Sequence, residues 1–314
     1  METKTATVRT ESATWRAMGS TAEITVVADT TIVTDLVSLG QRRVELLEQC
    51  WSRFRPTSEL VRLNAHAGQG PLEVSDDLLT LVVTMIEGWE RTNGLFDPTV
   101  LQSVTAHGYD ADFTTVIARD YVGSLQSLQP ARGMADIVVD PIANTITMPA
   151  GIGIDAGAIG KGLAADLIVT ELLAAGAEGV LMSLGGDLAF AGQAPTTDGW
   201  IIGVEDARGG SNEVVATWAF TSERGAVATS TTCKRRWANG TRHHSIDPRT
   251  GALTTSSTVQ ATVIADRAWY AEVSATAALV LDQADAITWL EDRELTGLLM
   301  THDDITDLTT SEEK

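Results

Sequence analysis

Residues 151–192, GIGIDAGAIGKGLAADLIVTELLAAGAEGVLMSLGGDLAFAG, decide the fold. The run opens on a glycine-rich turn and continues into a stretch of Ala, Leu, Ile and Val long enough for a helix. It closes on an apolar strand broken by Gly-Gly-Asp. Glycines let a backbone come close to a ligand, and a helix start offers unpaired N–H groups with a partial positive charge. The fold class therefore depends on what flanks this unit.

On its N-terminal side, TAEITVVAD (21–29) reads as a strand, and residues 34–51 place apolar side chains at helical spacing. Ser58 is a cap for a short helix ending at Gly68, and Ser75 opens a helix that closes at Asn93-Gly94. Between 105 and 150 the pattern is weak, with IVVD and TITMP as short strand candidates. On the C-terminal side WIIGVED, VVATWAF, GAVATS and STVQATVIAD read as strands, and AWYAEVSATAALVLD follows as a helix. No regular βαβ alternation links these elements, which favours an α+β fold over a doubly wound sheet. Nothing marks a linker or a repeat, so one compact unit is expected.

The 314-residue chain is 44% hydrophobic with a formal charge of −20. That charge argues against a nucleic-acid partner, because phosphate backbones need basic faces. It leaves room for a phosphorylated small molecule held by backbone N–H groups, a few cations or a divalent metal. Cys50 and Cys233 are the only cysteines, which excludes a disulfide framework or zinc knuckle. No window approaches 18 apolar residues and no signal peptide or lipobox is seen, so a cytoplasmic protein without a membrane span is expected.

Four stretches carry chemistry. In DAGAIGKG, Asp155 to Gly162, Lys161 adds a point charge at the helix start suited to a phosphate. Its spacing fits neither a Walker motif nor a dinucleotide fingerprint, and a ligand-free connection is the competing reading. In SLGGD, Ser183 to Asp187, a carboxylate follows a Gly-Gly pair at a strand end; taken alone, the stretch favours a plain hairpin turn. In AEVSAT, Glu272 and Thr276 lie four residues apart on one helix face, where both can give oxygen to a hard cation. Taken alone, the stretch favours reading Glu272 as a partly exposed rim carboxylate. In RHHSIDPRTG (242–251), His243 and His244 are neighbours on an extended segment and point to opposite sides, which disfavours their sharing a metal. One inward histidine before Asp247-Pro248 suits a base on a rigid loop.

Taken in order, these segments together with AMGSTAEI, SRFRPTSELVRLNA, GLFDPTV and VATS resemble the ApbE family, the FAD:protein FMN transferases. The resemblance runs from about residue 15 to 285 and implies an ApbE-like, T-fold-related mixed sheet with packed helices in a two-lobed unit. A flexible N-terminus (1–14), the domain (15–302) and an acidic tail (303–314) are the expected divisions. The family moves FMN from FAD to a Ser or Thr hydroxyl of an acceptor flavoprotein with Mg²⁺, releasing AMP. Acceptors carry a short motif such as Asp-x-x-Ser/Thr-x-Ala-Thr.

Carried onto this chain, the resemblance makes the Gly160 carbonyl, Glu272 and Thr276 metal ligands, with Glu272 standing where relatives have Asp. Phe54 falls at an aromatic position, often Tyr, for the flavin. Met18, Asp97, Asp155, Lys161, Ser183, Gly185, Gly186, Asp187, Ser230 and Ile246 fall in segments implied to line the FAD pocket. His244 is the implied base toward the acceptor hydroxyl, with Lys161 as its catalytic partner, and Thr231 stands where many members have Gly. Water in place of the acceptor would make the chain an FAD pyrophosphatase giving FMN and AMP. Loss of chemistry would leave an FAD-binding protein.

Overall fold

The computed structural model describes residues 7–119, 128–209 and 213–309. Strands β1 (Val8–Ala17) and β2 (Ser20–Asp29) form a hairpin paired from Val8↔Asp29 to Ala17↔Ser20. Met18 and Gly19 turn it, both with positive φ (47° and 66°), the backbone a two-residue turn needs to match strand twist. The first strand thus begins inside the stretch expected to be a flexible N-terminus. Its polar alternation (Thr10, Ser12, Thr14) belongs to an edge strand with one face on the protein and the other in water.

Helix α1 (Val33–Trp51) buries Val33, Leu36, Val37, Gly40, Val44 and Leu47, a stripe at three- and four-residue spacing. Helix α2 (Glu59–Ala65) is capped as expected: Ser58 Oγ accepts from Val61 N at 3.1 Å. After β3 (Pro71–Glu73), α3 (Asp76–Arg91) starts the same way, with Ser75 Oγ accepting from Leu78 N and two aspartates in its first turn. Two short helices follow, α4 (Leu101–Ala106) and α5 (Phe113–Ile117). Strands β4 (Val138–Asp140) and β5 (Thr145–Thr147) join β3 in a small sheet ordered β3-β5-β4.

The deciding stretch becomes α6 (Gly160–Ala174), β6 (Gly179–Leu184) and β7 (Asp187–Gly192). The ribbon β8 (Trp200–Glu205) and β9 (Val214–Phe220) comes next, then β10 (Arg224–Thr231) and the short pair β11 (Arg236–Trp237) and β12 (Arg242–His243). The chain ends with β13 (Gln260–Ala265), α7 (Ala268–Leu279), α8 (Gln283–Glu291), β14 (Thr296–Met300) and β15 (Ile305–Asp307). The last strand lies within the expected acidic tail; Ile305, Thr306 and Asp307 pair with Met300, Leu299 and Leu298 and close the sheet edge.

The main sheet has eight strands in the order β1-β2-β6-β7-β10-β13-β14-β15, and every described pairing in it is antiparallel. Helices α1 and α6 cover one face, where Ile24, Val26, Met182 and Leu184 meet Leu47, Ile168 and Leu172 in the largest core. The β8–β9 ribbon covers part of the other face, packing Trp200 and Ile202 on Phe190 and Val227. Helices α6 and α7 are buried on nearly all sides, which explains their lack of a polar face in the sequence. Gly162 allows their approach: a Cβ there would stand 2.4 Å from the Ala268 carbonyl oxygen. Among the described residues no helix is long and apolar enough to cross a membrane.

Candidate active site

The N-termini of α6 and α7 meet below the β6–β7 turn, and there the charged residues gather. Lys161 is the second residue of α6, and its Nζ lies 2.8 Å from Glu272 Oε1 and contacts Asp187 Oδ2. Glu272 is one turn into α7 and only 2% exposed; its other oxygen accepts from Gly162 N at 2.7 Å. Asp187, 1% exposed, begins β7 and accepts from Thr229 N on β10. The Gly185-Gly186 pair is both a hairpin turn (φ 65° and 97°) and the device that delivers Asp187 to Lys161, so the two readings of SLGGD coincide. A Cβ on Gly185 would also strike Ser20 Oγ at 2.3 Å.

Burial works against charge on Lys161, but Asp187 and Glu272 outweigh it and hold the ammonium above its ordinary value. Burial pushes Glu272 up to about 7; Lys161 opposes that rise and Asp187 adds to it. Two carboxylates and one ammonium leave a net negative charge when all three are ionised. Thr276, one turn beyond Glu272, places Oγ1 3.2 Å from Ser230 Oγ. These oxygens are hard donors, suited to Mg²⁺ rather than zinc. Among the described residues no group of three or more His, Cys, Asp or Glu is poised to hold a metal, so an ion here would need hydroxyl or main-chain oxygen as well.

This cluster lies in the wall of a cavity of about 1050 Å³, at the upper end of small-molecule sites. Phe54, Asp97, Asp155, Lys161, Ser183, Gly185, Gly186, Ser230, His244, Ile246, Glu272 and Thr276 all line it. Three expected residues stand back from the surface. Met18 packs on the core from the β1–β2 turn, with its N–H donating to Glu48 Oε2, while Gly19 and Ser20 line the cavity in its place. Asp187 is covered by Lys161, and Gly160 opens α6 with its N–H donating to Ala156 O. Asp97 is buried and caps the turn at Pro98–Val100, accepting from Thr99 N and Oγ1; burial raises it against those bonds. Thr231 lines the cavity with its hydroxyl turned away, donating to Val259 O at 2.8 Å.

Of the two histidines, His244 faces the cavity and His243 is buried in β12, where its Nδ1 accepts from Ser245 N. Burial, then Arg235, His243, Lys161 and Arg53, push His244 down to about 3, and burial and Arg236 push His243 to about 4. Both are neutral near pH 7. Buried His244 Nδ1 has no hydrogen-bond partner among the described residues.

The cavity wall carries both signs of charge: Arg53, Lys161, Lys234 and Arg235 line it beside Glu23, Asp97, Asp155, Glu205 and Glu272. Arg53 was missed from sequence although it adjoins Phe54. Its Nε lies 3.0 Å from Asp155 Oδ2, and its guanidinium carbon stands 4.0 Å above the Phe54 ring and 4.6 Å from that of Tyr109. Tyr109, also missed, packs between Phe54 and Trp237. The available signal was a cation flanking an aromatic in SRFR; the distance in sequence to residue 109 concealed the rest.

The model of the ApbE family matches residues 18–299, nearly the whole described chain. The chain belongs to the ApbE family. It is 29% identical over 264 residues to the FAD:protein FMN transferase of Treponema pallidum, covering 80% of this chain and 72% of that one. A second such transferase, from Vibrio cholerae, is 26% identical over 270 residues, covering 84% and 78%. In solved structures the fold is similar to that of the ApbE protein of Thermotoga maritima, with a TM-score of 0.84 at 24% identity over 96% of this chain and 98% of that one. The flavin transferase ApbE of Vibrio cholerae gives a TM-score of 0.76 at 22% identity, over 96% and 97%. These likenesses support the α+β, ApbE-like fold expected from the residues.

Proposed function

We propose that this ApbE-family chain is an FAD:protein FMN transferase that uses Mg²⁺, moves FMN onto a Ser or Thr hydroxyl of an acceptor flavoprotein and releases AMP. The observation that carries this reading is the Lys161–Asp187–Glu272 cluster at paired helix N-termini, in the wall of a cavity with an Arg53–Phe54–Tyr109 platform and neutral His244. FAD has parts to match each: a flavin ring for the aromatics and a pyrophosphate for the cations.

In the reaction the acceptor oxygen forms a bond to the phosphorus of the FMN half. The P–O bond to the AMP half breaks, and AMP leaves with the electron pair. The hydroxyl proton passes to His244, which is free to take it because its environment keeps it neutral. Burial is the main cause of the depressed imidazole, and an anionic substrate beside Arg235, Lys161 and Arg53 would offset the cationic part that adds to it. Lys161 holds a positive charge next to the departing phosphate. Glu272, Thr276 and the Gly160 carbonyl are the groups to hold Mg²⁺, which when bound neutralises developing charge on the leaving phosphate.

The test is mass spectrometry of an acceptor peptide carrying Asp-x-x-Ser/Thr-x-Ala-Thr after incubation with FAD and MgCl₂. Wild type is expected to add an FMN-sized mass, and Glu272→Ala and His244→Ala to lose the addition. FMN and AMP with unmodified peptide and unmodified acceptor protein would replace transfer with hydrolysis; intact FAD throughout would leave a binding protein.

A further inference from the structure

Neither α6 nor α7 caps itself. Their N-cap positions are Ile159 and Arg267, and neither side chain accepts from the first turn. Each helix instead borrows a carboxylate from the other. Glu272 of α7 accepts from Gly162 N in the first turn of α6, and Asp166 of α6 accepts from Trp269 N in the first turn of α7 at 3.1 Å. Both acids are buried, at 2% and 6% exposed. The exchange is possible only because Gly162 lets α6 lie against the backbone of Ala268 and Trp269.

We infer that Asp166 is a positioning residue that fixes Glu272 against Lys161 by locking the start of α7 to α6. Asp166 is not among the residues that line the cavity. Unpaired N–H groups at a buried helix start are costly, so each carboxylate holds its partner helix at one height and rotation. Lys161 and Glu272 sit within one turn of the two capped ends. A small slide of α7 therefore alters the Lys161–Glu272 separation directly. The catalytic consequence rests on the transferase reading; the coupling of the two helix ends does not.

The experiment compares wild type, Asp166→Ala, Asp166→Asn and Ser75→Ala as full-length proteins. Amide exchange is resolved for peptides covering 159–165 and 267–273, and FMN transfer is measured in parallel. Asp166→Ala is expected to speed exchange about tenfold in both peptides, the scale of a lost cap. It should lower kcat by about tenfold, with the acceptor KM within about twofold, as expected when positioning and not binding is lost. Asp166→Asn keeps an acceptor oxygen and should restore both readouts in large part. Ser75→Ala removes a remote cap from α3 and should lower Tm without moving either. If the 159–165 peptide keeps wild-type protection in Asp166→Ala, Asp166 caps only its own partner and the inference falls. It falls too if both peptides loosen while transfer by an active enzyme is unchanged. A wild type that transfers no FMN sinks the transferase reading, while the exchange result still decides the helix coupling. Should Asp166→Ala not fold, Asp166→Leu, which also removes the acceptor oxygens, decides in its place: both peptides loosening together supports the lock, and any other outcome overturns it.

Discussion

Lys161 and Glu272 are 111 residues apart in sequence, yet their Nζ and Oε1 lie 2.8 Å apart near the point where their two helices begin. Lys161 also contacts Asp187, so one ammonium offsets two carboxylates that are almost wholly buried. Removing it as Lys161→Met leaves two buried carboxylates without a partner, a change on the order of 3–5 kcal/mol at a pH where both are ionised. The variant should recover stability when acidified, because protonating either carboxylate relieves the repulsion. Urea unfolding at pH 5.5 and pH 8 checks this; a loss that is equal at both values would mean that Lys161 does not hold the pair together. Transfer should be abolished at either pH.

His244 sets a second expectation, because burial and the surrounding cations push it down to about 3. A depressed folded value means stability present above the unfolded pKa of about 6.5 and lost as pH falls toward 3. His243, pushed down to about 4, contributes over much the same window. His244→Gln should therefore flatten the acid limb of the stability curve while lowering transfer by roughly 10²–10⁴-fold. Arg235→Ala removes the cation named after burial as the cause and should move the imidazole titration upward, read by NMR in the free protein. An unmoved titration would refute that assignment.

Phe54 carries a third. Its ring lies under the Arg53 guanidinium at 4.0 Å and beside Tyr109 at 5.6 Å between centroids. If this platform receives the flavin, Phe54→Ala should weaken FAD binding by about tenfold or more, on the scale of losing one aromatic stacking partner. Phe54→Tyr should bind within about twofold of wild type. Quenching of flavin fluorescence on titration measures both, and unchanged affinity in Phe54→Ala would move the flavin elsewhere in the cavity.

Much of this arrangement was legible from residues alone, because local rules decided it. Ser58 and Ser75 announce helix starts, and the Gly185-Gly186 pair can form a turn that side chains with a Cβ resist. Elements without a local signal were missed. The edge strand β1 reads as polar because half of it faces water, and β15 is short and acidic. In the site, Arg53 and Tyr109 went unread because their value lies in a contact across 56 residues, which no spacing rule reports. Lys161 was read as a phosphate ligand and lines the cavity, but its ion pairs with Asp187 and Glu272 depend on the packing of α6 on α7. That packing is a tertiary fact, though Gly162 is its trace in the sequence.

Gly162 gives the last prediction, since it ties the fold to the chemistry. A Cβ at this position would meet the Ala268 carbonyl oxygen at 2.4 Å and Trp269 N at 2.7 Å, both backbone atoms that cannot swing aside as a side chain can. In an exposed helix, replacing glycine by alanine stabilises by up to about 1 kcal/mol. Here the sign should reverse, with Gly162→Ala destabilising by about 1–3 kcal/mol, the range for overpacked interiors. Forced apart, the helices would stretch both the Glu272 bond to residue 162 N and the Asp166 bond to Trp269 N. Transfer should then fall further than the lost stability explains when assayed at a temperature where the variant is fully folded. Chemical denaturation and an assay well below the melting point separate the two effects. A variant as stable as wild type would show that α6 and α7 can part without cost, and the close approach would no longer explain how Lys161 meets Glu272.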